Sequence, residues 1–516
     1  MKKYIQSMMA FAAIVSFASC SSEDNTTIEN ESAAKLMTFT ATQEGNEAST
    51  KATLSGFNIY WESGDKISLL YDSENKQLSL TGGAESTSGK FSGEAEQSNS
   101  YTAVYPYQAS ATLSGSNVTN VNLPAKQTPT DNSFDKSAAL MMAQSGNTTL
   151  EFKNAVGYVK VTPNFACKKI ELKAADGDVA LAGTGTLTWN EGNPKIELTE
   201  DQPNTITLEG NMTAGTAYYI AVPAVSLKRM WSISFTTSDG TKVYTRKGAK
   251  PIEFQRSKII NLGEFNTGDD YWYDEQRGIV KASQEVYMGD FKIGVKTYQV
   301  FFAKSNLTAT GLAAKESDFG DYFAFAATEP WCTEYNRTGT GYDVTVTPKT
   351  WANTQNASTY DWSTTPYTNG SSESCSKYKE DNSVLRMEDD AARQILGGEW
   401  QLPTIEIWNQ LRTNYNWGWT TINDYYGRKV TSRSDGTRAI FLPAAGSVNG
   451  TNFNVNPKGE LGFYWSSTAK SYEKACFLKF KTNQTQQYVT TTLFEGRYYG
   501  YPVRPVRLVE VSQPQQ

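Results

Sequence analysis

The chain of 516 residues contains no histidine. That absence removes Ser-His-Asp and Cys-His nucleophilic catalysis, and every zinc or iron site built on imidazole. Arginine is missing from the first 228 residues and begins at Arg229. Cysteine is sparse, with Cys20, Cys167, Cys332, Cys375 and Cys476 the whole complement, and their spacing matches no metal-binding pattern. Cys167 stands alone in its region and reads as a small buried residue. The last three permit three single pairings, and an oxidising compartment would allow one of them to form. The net charge of −6 gives no electrostatic case for nucleic acid or anionic lipid as a partner. No Asp-x-Asp-x-Asp-Gly loop is present, which excludes an EF-hand. Past the N-terminus no apolar run approaches the 18 residues of a membrane span. The expectation is a protein that binds rather than reacts, with no catalytic residue, no metal and no cofactor.

The N-terminus reads as a targeting segment. Lys2 and Lys3 supply a positive start, Ile5 to Ala18 is mostly apolar, and Phe17-Ala18-Ser19 leads small residues into Cys20. Cleavage there leaves Cys20 as the first residue, a bacterial lipobox arrangement. An acyl chain on its thiol holds about 0.8 kcal/mol per buried methylene. Ser21-Ser22-Glu23-Asp24-Asn25 follows and resembles the surface-export signal of Bacteroidetes lipoproteins. Residues 1–19 are therefore expected to be a signal peptide and 20–35 a polar, disordered tether. The expected location is the outer face of the outer membrane, with the lipid as the attachment.

Aromatics make up 12% of the chain and tyrosine leads them with 29, a composition that fits extracellular β-structure. Period-two runs recur, each bounded by turn residues: Leu36–Thr42, Phe57–Trp61, Lys66–Tyr71 and Tyr101–Tyr105, with Ser63-Gly64-Asp65 and Gly82-Gly83 between them. A second series follows at Tyr158–Thr162, Lys169–Leu172, Thr205–Leu208, Tyr218–Val222 and Trp231–Phe235, with turns at 190–193 and 238–240. Short strands at this spacing, with no helical period, predict two β-sandwiches over 36–157 and 158–266. Residues 267–280, rich in Asp, Tyr and Glu, read as a linker. Beyond them most of the twelve tryptophans occur, and two helices are predicted. One runs from Asp389 to Leu396, with Glu388, Asp389 and Asp390 at the positive end of its dipole and Gly397-Gly398 closing it. The other runs from Ile405 to Leu411, with Thr404 as N-cap. Tyr415–Trp419 and Asp424–Gly427 fall in expected loop.

The ordered motifs Trp61-Glu-Ser-Gly-Asp-Lys-Ile67, Ala103-Val-Tyr-Pro-Tyr107, Leu123-Pro-Ala-Lys-Gln127, Phe152–Val161, Gly215–Pro223 and Ser257–Gly263 make residues 36–266 resemble the fimbrillin family of Bacteroidetes pilus subunits. The resemblance implies two transthyretin-like sandwiches in tandem, and a partner's strand added by β-augmentation after cleavage at a basic residue between the first two strands. Lys51 stands at that position, and with no arginine before Arg229 the protease would have to accept lysine. Residues 281–510 resemble the Fibrobacter major paralogous domain, related to the C-type-lectin and formylglycine-generating-enzyme fold. The motifs are Phe319–Phe325 with Glu329-Pro330, Glu388–Ala392, Gly398-Glu-Trp-Gln-Leu-Pro-Thr404 with Glu406 and Trp408, Phe441–Gly446, Tyr464-Trp-Ser-Ser-Thr468 and Tyr499–Val506. An α+β domain is implied, with two helices beside small sheets. The sugar-binding signatures of C-type lectins do not carry over: Glu329-Pro330 is followed by Trp331, Trp465 by Ser466-Ser467, and Gln202-Pro203-Asn204 lies in the second sandwich. The close cysteine pair that handles copper in the oxidising branch is also missing.

The fold class expected is thus mainly β, two sandwiches followed by a lectin-like domain. The expected function is a pilus subunit, at the tip because only Val511–Gln516 follows the last motif and no strand is left to donate. Its partners would be other pilin subunits and a glycan or protein ligand. Trp400, Trp408 and Trp465 lie inside motifs and are expected in the core. Trp417, Trp419, Tyr425 and Tyr426 are the expected ligand face, since exposed aromatics stack on sugars and anchor protein contacts. The alternative is a stand-alone or anchor lipoprotein serving glycan capture or envelope structure.

Overall fold

The structure is a computed structural model of the chain. It describes residues 34–44, 60–175, 179–338, 345–351, 377–449, 452–456, 459–471, 474–482 and 489–511. Cys20, Lys51 and Cys375 lie outside the described residues.

The first ten strands are β1 (Lys35–Gln43), β2 (Lys66–Tyr71), β3 (Glu74–Gly82), β4 (Ser88–Ala95), β5 (Tyr101–Tyr105), β6 (Thr112–Ser114), β7 (Asn117–Leu123), β8 (Lys126–Gln127), β9 (Met141–Ser145) and β10 (Thr149–Asn154). Seven of them close into a barrel in the order β1-β10-β9-β5-β2-β3-β4. Among the described residues, the sandwich expected for this module is therefore a closed ring of seven strands. Its core holds Phe39, Trp61, Leu69, Phe91, Tyr101 and Phe152. Trp61 packs edge-on against Phe91, Tyr105 and Phe152 at 4.9, 5.2 and 5.6 Å. Of the run predicted at Phe57–Trp61, residues 57–59 lie outside the described set, and Trp61 makes only an isolated bridge to Ser86.

The second series is β11 (Val156–Pro163), β12 (Cys167–Lys173), β13 (Gly183–Asn190), β14 (Asn193–Leu198), β15 (Thr205–Met212), β16 (Tyr218–Pro223), β17 (Ser226–Leu227), β18 (Ser232–Thr237), β19 (Val243–Lys247), β20 (Ile252–Glu253) and β21 (Ile259–Phe265). Two sheets, β16-β11-β21 and β19-β18-β12-β15-β8, enclose a second core. The expected boundary at 157/158 is crossed in three ways. The hairpin β13–β14 pairs with β7, and β8 pairs with β15. The three-stranded sheet is also shared. Tyr158, Tyr219, Ala221 and Ile259 face the barrel core, while Val159, Tyr218, Ile220, Val222 and Ile260 face the second core. A sheet buried on both faces reads as a continuous apolar run, as Tyr218–Pro223 does. The two modules therefore share a layer and are not beads on a linker.

Among the described residues the C-terminal region is α+β, with four-, three- and two-stranded sheets and two α-helices. The 267–280 segment is docked along its length. Tyr273 N–H bonds the Thr245 carbonyl, Ile279 N–H bonds the Leu396 carbonyl, and Trp400 Nε1 donates to the Arg277 carbonyl at 2.8 Å. Gly397 and Gly398 have φ of 69° and 58°, and a Cβ on Gly398 would lie 2.5 Å from the Gln276 oxygen. Glycine is required there for both reasons. Helix α1 is Ala391–Leu396, shorter than predicted, because Met387–Asp389 forms a separate 3-10 turn. Asp390 is the N-cap, accepting from Ala392 and Arg393 N–H with one oxygen and from Leu402 N–H with the other. Helix α2 is Ile405–Asn414, and Thr404 caps it by accepting from Ile407 N–H. Trp400, Trp408 and Trp465 are fully buried.

Candidate functional site

Strand β1 is the seam of the barrel. It runs antiparallel to β4 over Lys35–Thr42 and parallel to β10 over Thr40–Gln43, and neither neighbour adjoins it in sequence. Alternation of side chains sends Phe39 and Ala41 inward, with Met37 half-buried, and leaves Leu36, Thr38 and Thr40 outside. Phe39 meets Tyr101 edge-on at 5.0 Å, and the Ala41 carbonyl accepts from Trp61 Nε1 at 3.2 Å. Only two of the nine side chains are fully buried. Gly89 opposite Ala41 leaves room for Trp61, since a Cβ there would come within 2.8 Å of that ring.

A clasp holds the far end of β1. Both Glu44 carboxylate oxygens accept from Arg256 Nη2 at 2.5 Å, one also accepts from Asn154 N–H at 3.0 Å, and Arg256 Nε donates to the Asn154 carbonyl. Both partners are about a quarter exposed. Arg256 follows β20 in the second module, so the clasp ties the seam strand to the shared layer. Sequence reasoning missed Phe39 and Ala41 as a plug, though their alternation was visible. It could not have found the Glu44–Arg256 pair, whose members stand 212 positions apart.

The predicted ligand face lies on a hairpin rather than in a loop. Tyr415–Ile422 and Tyr425–Ser432 pair antiparallel around Asn423-Asp424, whose φ values of 49° and 65° suit a tight two-residue turn. Tyr415, Trp417 and Trp419 share one face, which descends into the core. Trp417 is 6% exposed and donates from Nε1 to the Leu411 carbonyl at 3.0 Å. Its place in the ligand face is thereby withdrawn. Trp419 and Tyr426 are half-buried and stacked, 5.8 Å apart at 11°. The Arg428 guanidinium sits 5.5 Å over Trp419 from beneath, itself fully buried and bonded to the Trp417 and Lys481 carbonyls. Tyr425 points to the other face, edge-on to Phe319 at 5.3 Å.

No protein-family model and no curated protein matches the chain. Among solved structures, a candidate cell adhesion protein from Bacteroides ovatus is 14% identical, with 46% of this chain and 94% of that one covered, at a TM-score of 0.30. The tip fimbrial protein Mfa3 from Porphyromonas gingivalis is 11% identical, covering 44% and 94%, at 0.22. A fimbrial protein from Bacteroides ovatus is 11% identical, covering 90% and 97%, at 0.20. Likeness at these scores establishes no shared fold.

Cys167 and Cys476 are free, buried thiols, and burial pushes the Cys167 pKa up to about 12. A bridge to Cys476 is therefore not formed. Glu388, Asp389 and Asp390 do not converge. Asp389 pairs with Lys377 at 2.9 Å and accepts from the Tyr378 hydroxyl, while Asp390 caps α1. Among the described residues no group of three acidic or cysteine side chains could hold a metal. Among them, too, no helix is long and apolar enough to cross a membrane.

Proposed function

We propose that this chain is a surface-exposed subunit of a bacterial fimbria, and that it works by binding, without catalysis. The observation that carries the reading is the seam. A single strand closes the barrel from both sides yet is plugged by only Phe39 and Ala41. Withdrawing β1 would expose the paired edges of β4 and β10 and a groove lined by Tyr101 and Trp61. An extended segment with the same alternation, donated by another subunit, fits that groove by β-augmentation. Cleavage at Lys51 would release β1 together with the lipid on Cys20. The C-terminal domain then supplies recognition at the fibre tip, with the Trp419–Tyr426 stack as the platform for a glycan or protein, and Tyr425, on the opposite face of the hairpin, outside it.

One feature favours the rival reading of a permanently anchored lipoprotein. The Glu44–Arg256 clasp, reinforced by Asn154, retains the seam strand. The two readings separate on fibres sheared from the producing bacterium. The fimbrial reading expects this chain in the fibres, beginning after Lys51. Finding it only in membranes, intact from an acylated Cys20, refutes strand release.

A further inference from the structure

We infer a second binding site, for an acidic glycan, in the cleft where the second module meets the C-terminal domain. This cleft, of about 490 Å³, is bounded by β19 and the turn after it, by the docked 271–281 segment, and by Thr310–Leu312. Its volume lies within the range of small-ligand sites, roughly 300–1,000 Å³. Four cations line it: Arg246, Lys247, Lys250 and Lys281. In a chain of net charge −6 such a concentration needs a reason. Lys281 is paired with Asp270 at 2.7 Å. Among the described residues the other three have no carboxylate at ion-pair distance. Two are held instead by aromatic rings. The Arg246 guanidinium lies 4.9 Å over Tyr271, and Lys247 Nζ lies 3.8 Å over Tyr273. A ring positions a cation without cancelling its charge, so the positive field stays available to a ligand.

The rest of the lining decides the class. Trp231, fixed by its Nε1 bond to the Lys250 carbonyl at 3.0 Å, lines the cleft together with the apolar Ile279 and Leu312. Cations and apolar side chains lining one cleft suit a sugar ring, whose C–H face packs while its carboxylate or sulfate is neutralised. The site is independent of the Trp419–Tyr426 stack and is complete only in the intact chain, because both modules build it.

The test uses the full chain, titrated calorimetrically with a sulfate-free oligo-hexuronate, a sulfated uronate oligomer, a neutral oligomer of the same length, and a poly-glutamate peptide. Binding of either acidic glycan, weakened by added salt and absent for the neutral one, is expected. Binding of the sulfated oligomer alone assigns sulfate as the recognised group, and binding of both assigns the carboxylate. Lys250→Glu keeps the backbone bond to Trp231 and should weaken binding at least about tenfold, as should Lys247→Glu, with unchanged thermal unfolding. Lys90→Glu, a charge reversal on the exposed Lys90 of β4, away from the cleft, should leave it unchanged. No binding, binding indifferent to both charge reversals, or a preference for poly-glutamate would each overturn the assignment.

Discussion

Replacing Phe39 with alanine tests the seam at its strongest point. The ring has no exposed surface and packs edge-on against Tyr101. Deleting a buried phenylalanine costs about 3–5 kcal/mol, transfer and cavity together. The only other fully buried side chain of β1 is Ala41, so little remains to hold the strand beyond its backbone ladder and the clasp. The loss should therefore appear as local opening of the seam ahead of global unfolding. At 1.4 kcal/mol per tenfold, amide exchange in the segments Ser88–Ala95 and Thr149–Asn154 should accelerate by about two decades or more. Leu36→Ala is the control. It lies on the same strand at 76% exposure and should change stability by no more than about 0.5 kcal/mol. Exchange read by peptide mass spectrometry compares the two. If Phe39→Ala opens the seam no more than Leu36→Ala, the two-residue plug is wrong.

Three further outcomes are expected. Arg256→Met leaves Glu44 without its partner in a partly buried setting and should destabilise the seam by about 1–3 kcal/mol, read as faster exchange of Thr40–Glu44 with the C-terminal domain unaffected. Trp417→Ala should lower global stability by about 3–5 kcal/mol, while Trp419→Ala should spare stability and reduce ligand capture on a glycan array; denaturant titration and the array separate the two. Asp390 is pushed up to about 6, chiefly by burial, against the backbone N–H donors of Leu402, Arg393 and Ala392. Between about pH 4 and 6 the native state then holds a proton the unfolded chain has lost, so this group's contribution falls as pH rises through that window, by up to about 3 kcal/mol. Asp390→Asn should remove that part of the slope in denaturation midpoints measured from pH 4 to 7.

Legibility followed local chemistry. Lys66–Tyr71 and Tyr101–Tyr105 lie where alternation put them, because their pattern and turn residues are sufficient to define them. Thr404 caps α2 as its position before Ile405 required. Long-range pairing was not legible. Nothing local says that β1 lies parallel to β10, which closes a ring instead of a sandwich, or that Tyr218–Pro223 is apolar on both faces because two modules share it. The 267–280 segment looked like a linker because its residues are polar. It is docked through backbone bonds and two positive-φ glycines, which composition does not reveal. Trp417 and Trp419 are two residues apart on one strand face and look alike in sequence. Only the depth of the hairpin against α2 buries the first and leaves the second at the margin.

The most direct measurement places a specific protease site at residue 51, cleaves the folded chain, and adds a mass-labelled peptide carrying the Met37–Ala41 alternation. Native mass spectrometry then follows the barrel. The account predicts one-for-one replacement of the fragment N-terminal to the cut, which carries β1, by the peptide, with the fold retained. Retention of the original fragment under conditions that open the Phe39→Ala seam, or collapse of the barrel when it leaves, would contradict it.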